Sequence, residues 1–240
     1  MLWSKAIGAA GGGGVVEVPF VGSQTSTIAG TGSLVAGMTS LEGGLGSSPV
    51  AGDLILVLLT AADTAPNFGS GIILTSGYTT LIDRFQSDGY RDVFLTVGYR
   101  ISDGSETSVT CSRFNNGSRG QIAHIRVYRG VDTVIPLPPE YELLATNQSI
   151  IDPPAVIENN NSQFCVFGGA SHFDALSAAG YIPYASPDLE NFVSSSADAI
   201  VGCASAWGDS ATLLDPEAFS QVTPNGQPQV SASLLINLIS

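Results

Sequence analysis

The stretch from Asp92 to Ile101 alternates residue by residue. Val93, Leu95, Val97, Tyr99 and Ile101 fall on one side, and Phe94, Thr96, Gly98 and Arg100 on the other. A period of two belongs to an extended strand, whose successive side chains point to opposite faces. It predicts a strand with one face buried. Gln121 to Tyr128 repeats the pattern, with Ala123, Ile125 and Val127 against Ile122, His124, Arg126 and Tyr128. Leu54 to Leu59, Phe164 to Phe167, Ala199 to Ala206 and Val230 to Ile239 are further strand candidates. No segment carries an apolar stripe at i, i+3, i+4 and i+7 over three turns between good caps, so the chain reads as all-β.

Turn chemistry agrees. Asp-Gly at 88–89 and 103–104, and Asn-Gly at 116–117 and 225–226, are hairpin signals. Charged residues make up 12% of the chain, about half the usual quarter, and Gly, Ser, Thr and Asn take their place. At 240 residues the chain is long enough to bury a sizeable core without disulfide staples.

The strand signals recur across the chain. Pro49, the apolar run 54–59, Tyr78, the strand 92–101, an Asn-Gly turn and the strand 121–128 are echoed in the second half. There the series is Pro153, 163–167, Tyr181 or Tyr184, 198–207, Asn225-Gly226 and 230–239. Two pseudo-repeated halves, 49–132 and 153–240, each with roughly four strands, predict a jelly-roll-like antiparallel β-sandwich over 46–240. Between them, 133–154 holds Pro136, Pro138, Pro139, Pro153 and Pro154 and reads as a crossover rather than a strand. Residues 1–45 read as an extended Gly-rich N-terminal arm leading into the first strands.

Charge is divided unevenly. The net charge is −13, and all eight basic residues (Lys5 and seven Arg between Arg84 and Arg129) precede Gly130. From there to the end stand twelve Asp and Glu and no cation. Such a chain is ill-suited to nucleic acid, whose phosphates call for clustered Lys and Arg. The acidic half reads as a solvated face or as a surface for a basic partner. No run approaches the roughly 20 apolar residues of a membrane-spanning helix. Three cysteines without a CxxC or Cys/His cluster point to no zinc site and to folding in a reducing cytoplasm.

The inventory for catalysis is short. His124 and His172 are the available imidazole bases. His124 reads as a half-exposed strand residue and His172 as a loop residue just after a strand. A GxSxG elbow, an HExxH pair, a phosphate-cradling Gly-rich loop and an EF-hand are all lacking. The acidic pairs Asp188/Glu190 and Asp215/Glu217 would serve glycoside hydrolysis only at the right separation in space. The expectation is therefore no enzyme, with no catalytic, cofactor or metal residues. Tyr78, Tyr90, Tyr99, Tyr128, Tyr141, Tyr181, Tyr184, Trp3 and Trp207 include candidates for a sugar-stacking face, or are core and cross-strand partners.

Several phrases together resemble a family of phage and prophage virion proteins. They are residues 1–14 (MLWSKAIGAAGGGG), 48–57 (SPVAGDLILV), 76–82 (SGYTTLI), 97–100 (VGYR) and 127–132 (VYRGVD). The resemblance covers most of 1–132 and continues loosely to the end. Its phrases are strand-and-turn segments, so it transfers no site residues. It implies a structural role in the virion, after synthesis in the host cytoplasm. The first expectation is a capsid decoration or cement protein that forms a homo-oligomer and clamps other virion proteins. The second is a tail fibre or receptor-binding protein that recognises bacterial glycans. In the arm, Leu2, Trp3 and Ile7 are the large apolar side chains before Val15. Trp is a strong interface anchor, so these three are the candidate assembly anchor, with Gly11, Gly12, Gly13 and Gly14 as its hinge.

Overall fold

The computed structural model describes residues 19–29, 32–63, 71–73, 75–87, 92–113 and 118–130 and, from 134 onward, the backbones of the strands named below. These residues are all-β and antiparallel, without a helix among them. The first half holds eight strands: β1 (Phe20–Ala29), β2 (Leu34–Gly37), β3 (Leu54–Asp63), β4 (Gly71–Ile73), β5 (Thr79–Ser87), β6 (Asp92–Ile101), β7 (Ser108–Arg113) and β8 (Ser118–Tyr128). They form a large sheet in the order β1-β8-β3-β6-β5 and a small one in the order β2-β7-β4.

The second half contributes β9 (Val134–Pro136), β10 (Glu140–Leu144), β11 (Ile150–Ile151), β12 (Val156–Ile157), β13 (Gln163–His172) and β14 (Leu176–Ala178). It continues with β15 (Phe192–Ser196), β16 (Ala199–Gly208), β17 (Leu213–Leu214), β18 (Phe219–Gln221) and β19 (Gln229–Leu238). Its large sheet runs β10-β19-β13-β16-β15, with β9 also on β19, and its small sheet runs β11-β18-β14. β12 and β17 pair apart from both.

The two halves share one topology. Replacing β1 to β8 in turn by β10, β11, β13, β14, β15, β16, β18 and β19 converts both sheet orders of the first half into those of the second. Corresponding long strands start at 54 and 163, 92 and 199, and 118 and 229. The spacing seen in the sequence thus marks a repeat in the fold. Among the described residues, however, the first half has eight strands in two sheets and the second has eleven, eight of which match the first, where roughly four strands per half were expected.

Three further expectations are corrected. The Pro-rich span 133–154 is not free of strands, because β9, β10 and β11 lie in it. Pro136 ends β9, opposite Ile236, on a three-residue strand where a missing N–H is tolerated. Asp103-Gly104 is not a hairpin turn, since it joins β6 of the large sheet to β7 of the small one. The other three Gly turns, at 88–89, 116–117 and 225–226, lie outside the described residues. Finally, β6 is not buried on one face alone, since every residue from Asp92 to Gly98 is buried.

That last correction follows from layering. On one face of the large sheet Ile55, Val57, Leu59, Ala61, Phe94, Ala123, Ile125 and Val127 pack against Leu34, Ala36, Val109 and Cys111 of the small sheet. Leu54, Leu56, Leu58, Leu95, Val97 and Ile122 have the opposite parity and are just as inaccessible. This second face is met by the other half, whose β13, β16 and β19 approach β3, β6 and β8. A sheet covered on both sides reads as a continuous apolar run rather than an alternation. Leu54 to Leu59, with every residue at 0% exposure, is that run. Buried hydroxyls within these strands are satisfied locally. Thr60 Oγ1 donates to the Phe94 carbonyl at 2.6 Å, and Thr96 Oγ1 donates to Asp83 Oδ1 at 3.3 Å.

Candidate functional site

Most of the charged groups described serve the scaffold. Asp53, buried at 1% exposure, accepts from Arg129 Nε and Nη2 at 3.0 Å each and from the Val50 N–H at 2.8 Å. Arg129 N–H donates to the Pro19 carbonyl at 2.9 Å, so this bidentate pair ties the end of β8 to the turn before β3 and the entry to β1. At the crossover from β6 to β7, Arg100 bridges Asp103 at 2.7 Å and Glu106 at 2.8 Å. Glu106 also accepts from Ser102 Oγ at 2.6 Å and the Asp103 N–H at 3.1 Å. Burial pushes the Glu106 carboxyl up, but the Ser102 and backbone hydrogen bonds and the Arg100 charge together hold it below the usual carboxylate range. A carboxylate so engaged is a poor proton donor or acceptor. Gly104, at φ +88°, provides the turn.

His124 is buried at 1% exposure, not half-exposed. Its parity puts it on the face covered by the second half, and its Nδ1 lies 3.0 Å from Thr25 Oγ1. Burial first, and the Arg126 charge second, hold it neutral, well below the usual histidine range. Arg126 is fully buried beside it, with its guanidinium 5.3 Å from the Phe20 ring centroid and 5.7 Å from that of Tyr128. These are cation–π distances. Cys111 is a buried core residue whose thiol is pushed up to about 12 by desolvation, which leaves it unreactive near neutrality.

His172 is not a loop residue. It closes β13 opposite Ala199. The acidic pairs Asp188/Glu190 and Asp215/Glu217 lie outside the described residues, as do Leu2, Trp3, Ile7 and Gly11 to Gly14. The aromatics whose side chains are described do not share one open face. Tyr128 is buried, and Tyr78 packs on the core between the two sheets of the first half. Tyr99 stands opposite Leu56, on the other face of the large sheet. Among the described residues no three His, Cys, Asp or Glu side chains stand together as a ligand set for a metal ion.

One concave feature lies apart from these scaffold contacts. A groove of about 570 Å³ runs beside β1, lined by Ser23, Gln24, Thr25, Ser40, Glu42 and Gly43. β1 is the outer strand of its sheet, hydrogen-bonded in that sheet to β8 alone. Along its first residues the outer edge is closed by the loop 41–46. Ser23 and Glu42 exchange both main-chain hydrogen bonds at 2.9 Å, the Leu45 N–H donates to the Phe20 carbonyl at 3.1 Å, and the Gly46 N–H donates to the Val21 carbonyl at 2.9 Å. The loop seats flush because residue 44 is glycine, where a Cβ would lie 2.5 Å from the Val21 carbonyl. Past Ser23 the loop leaves the strand and the groove opens. Sequence reasoning missed this site because Ser, Thr and Gln in a glycine-rich neighbourhood read as turn and linker residues.

No protein-family model, curated protein or solved structure matches the chain.

Proposed function

We propose that this chain is a structural protein of a bacteriophage particle, acting by binding, and that its place is decoration or cementing of the head. The observation that carries the reading is the repeated topology. Two units that share one eight-strand topology stack through their large sheets within one chain. Within the described part, buried polar groups such as Asp53, Thr60 and Glu106 tie strands and turns together. The phrases at 1–14, 48–57, 76–82, 97–100 and 127–132 support the virion assignment. The unequal charge supports a second feature. With no cation after Arg129, the second unit suits a basic surface on a neighbouring virion protein.

In this account Trp3, with Leu2 and Ile7, anchors the protein in a groove of that neighbour, and Gly11 to Gly14 form the hinge. Ordering a glycine run costs roughly 1–2 kcal/mol per residue, so the anchor must supply compensating contacts. The test is deletion of residues 1–14. The truncated protein should fold as a β protein and fail to load onto particles. Loading at full occupancy would rule out the anchor and leave the acidic half as the attachment surface. The groove beside β1 favours a second reading, a tail fibre or receptor-binding protein that recognises bacterial glycans, in which the same body is a platform for a ligand site.

A further inference from the structure

We propose that the groove beside β1 is a binding site for a neutral saccharide, held by Glu42, Gln24 and the hydroxyls of Ser23, Thr25 and Ser40. This gives the glycan-recognition reading a location, and as a binding property it is independent of whether the protein sits on a head or a tail.

The lining decides the chemical class. The described residues around a volume of about 570 Å³, within the range of small-molecule pockets, carry three hydroxyls, one amide and one carboxylate, of which the Thr25 hydroxyl also meets His124 Nδ1 at 3.0 Å. Hydroxyls and amides both donate and accept, and a carboxylate accepts at two oxygens. A sugar ring presents hydroxyls that do the same, with adjacent pairs that a carboxylate or an amide can engage together. A phosphate, sulfate or uronate would bring a second negative charge beside Glu42, with no cation among the described lining residues to offset it. An aliphatic ligand would find a described lining that is mainly polar.

Two observations show that the groove has hydrogen-bonding capacity to spare. Gln24 Oε1 is buried and has no hydrogen-bond partner among the described residues. The strand parity adds main-chain groups. Ser23 turns its N–H and C=O outward to Glu42. Beyond the bulge at Phe20/Gly22 the pairing with β8 is regular, so Thr25, two residues on, turns its own N–H and C=O to the same outer side. Past the point where the loop departs, that side is the groove.

The walls are also set in advance. The floor is a strand paired along its length to β8, and one wall is a loop fixed by main-chain bonds at Phe20, Val21 and Ser23. A site that need not be ordered on binding loses less affinity to entropy. Among the described residues the groove holds a single carboxylate, whereas glycoside hydrolysis requires two carboxyl groups flanking the bond. The chemistry assigned to it is therefore retention of the sugar without cleavage.

The test uses the full chain in solution. Isothermal titration would be run with maltohexaose, cellohexaose, chitohexaose and mannohexaose, and with an oligogalacturonate as the anionic comparator. The variant is Ser40→Ala/Glu42→Ala, which alters two exposed side chains and should leave the melting temperature unchanged. At least one neutral hexasaccharide should bind, the double variant should weaken it tenfold or more, and the oligogalacturonate should bind more weakly than the best neutral sugar. Failure of all four neutral sugars to bind at millimolar concentration would overturn the proposal. So would binding undiminished in the variant, or a preference for the anionic sugar. Because the readout is saccharide binding in solution, such a failure leaves the particle role standing, and absence from particles would leave the groove standing.

Discussion

Leu58 and Leu59 are neighbours in β3, chemically identical, and both at 0% exposure. They face opposite ways. Leu59 belongs to the core shared with the small sheet of the first half. Leu58 stands between Val97 and His124 on the face met by the second half. Truncating either leucine to alanine removes three carbons. At about 0.8 kcal/mol per buried methylene, that is about 2.4 kcal/mol of transfer free energy. The cavity left behind raises the cost to about 2–5 kcal/mol. Stacking of the two halves therefore predicts that Leu58→Ala and Leu59→Ala are both costly. For a chain of this size a loss of about 3 kcal/mol lowers the melting temperature by roughly 6–12 °C. Urea denaturation followed by far-ultraviolet circular dichroism gives the free energies directly. The reasoning fails if Leu59→Ala costs this much while Leu58→Ala stays within about 0.5 kcal/mol of the parent, the behaviour of an exposed site. That result would mean the second face of the large sheet is open to water.

Two other predictions rest on buried titratable groups. His124 is neutral in the folded chain and titrates near pH 6.5 when unfolded, so below that pH the unfolded state binds the extra proton and stability falls as pH falls. Urea titrations at pH 7.5 and 5 should show a loss approaching about 1.4 kcal/mol per pH unit from this group, and His124→Gln should show a correspondingly smaller loss. Cys111 should resist iodoacetamide at pH 8 in the native protein and react once urea unfolds it, as read by peptide mass mapping. Labelling of the native protein at Cys111 would contradict its burial and raised pKa.

Legibility in the sequence tracked apolar patterning more than length: β1, of ten residues, and β5, of nine, were missed because FVGSQTSTIA and TTLIDRFQS hold few regularly spaced apolar positions. The ten- and eleven-residue strands β3, β6, β8, β13, β16 and β19 were visible because each carries several periods of alternation or a full apolar run. These same strands revealed the repeat. The short strands were not visible. β2 and β4, like β11, β14 and β18 after them, have two to four residues, too few for a period to declare itself. Proline misled at 133–154 because a strand end on β9 tolerates Pro136. The alternation in β6 carried the right faces but the wrong burial, since Val93 and Phe94 are both apolar and only layering tells whether one side or two are covered. His124 illustrates the same limit. A histidine in a strand says nothing of what lies above it, and here the second half does. The groove was illegible for a different reason. Ser23 and Ser40 are distant in sequence and come together only because the loop 41–46 folds back on β1.

The central claim is that the chain is a structural component of a phage particle, and the number of copies in that particle tests it most directly. Phage particles induced from a strain that carries the gene would be purified and digested with isotope-labelled reference peptides, and this protein counted against the major shell protein. The account predicts hundreds of copies, a stoichiometry tied to the shell lattice. A handful of copies would move the protein to the tail and favour the glycan-recognition reading. Its absence from particles that are complete and infectious would contradict the claim.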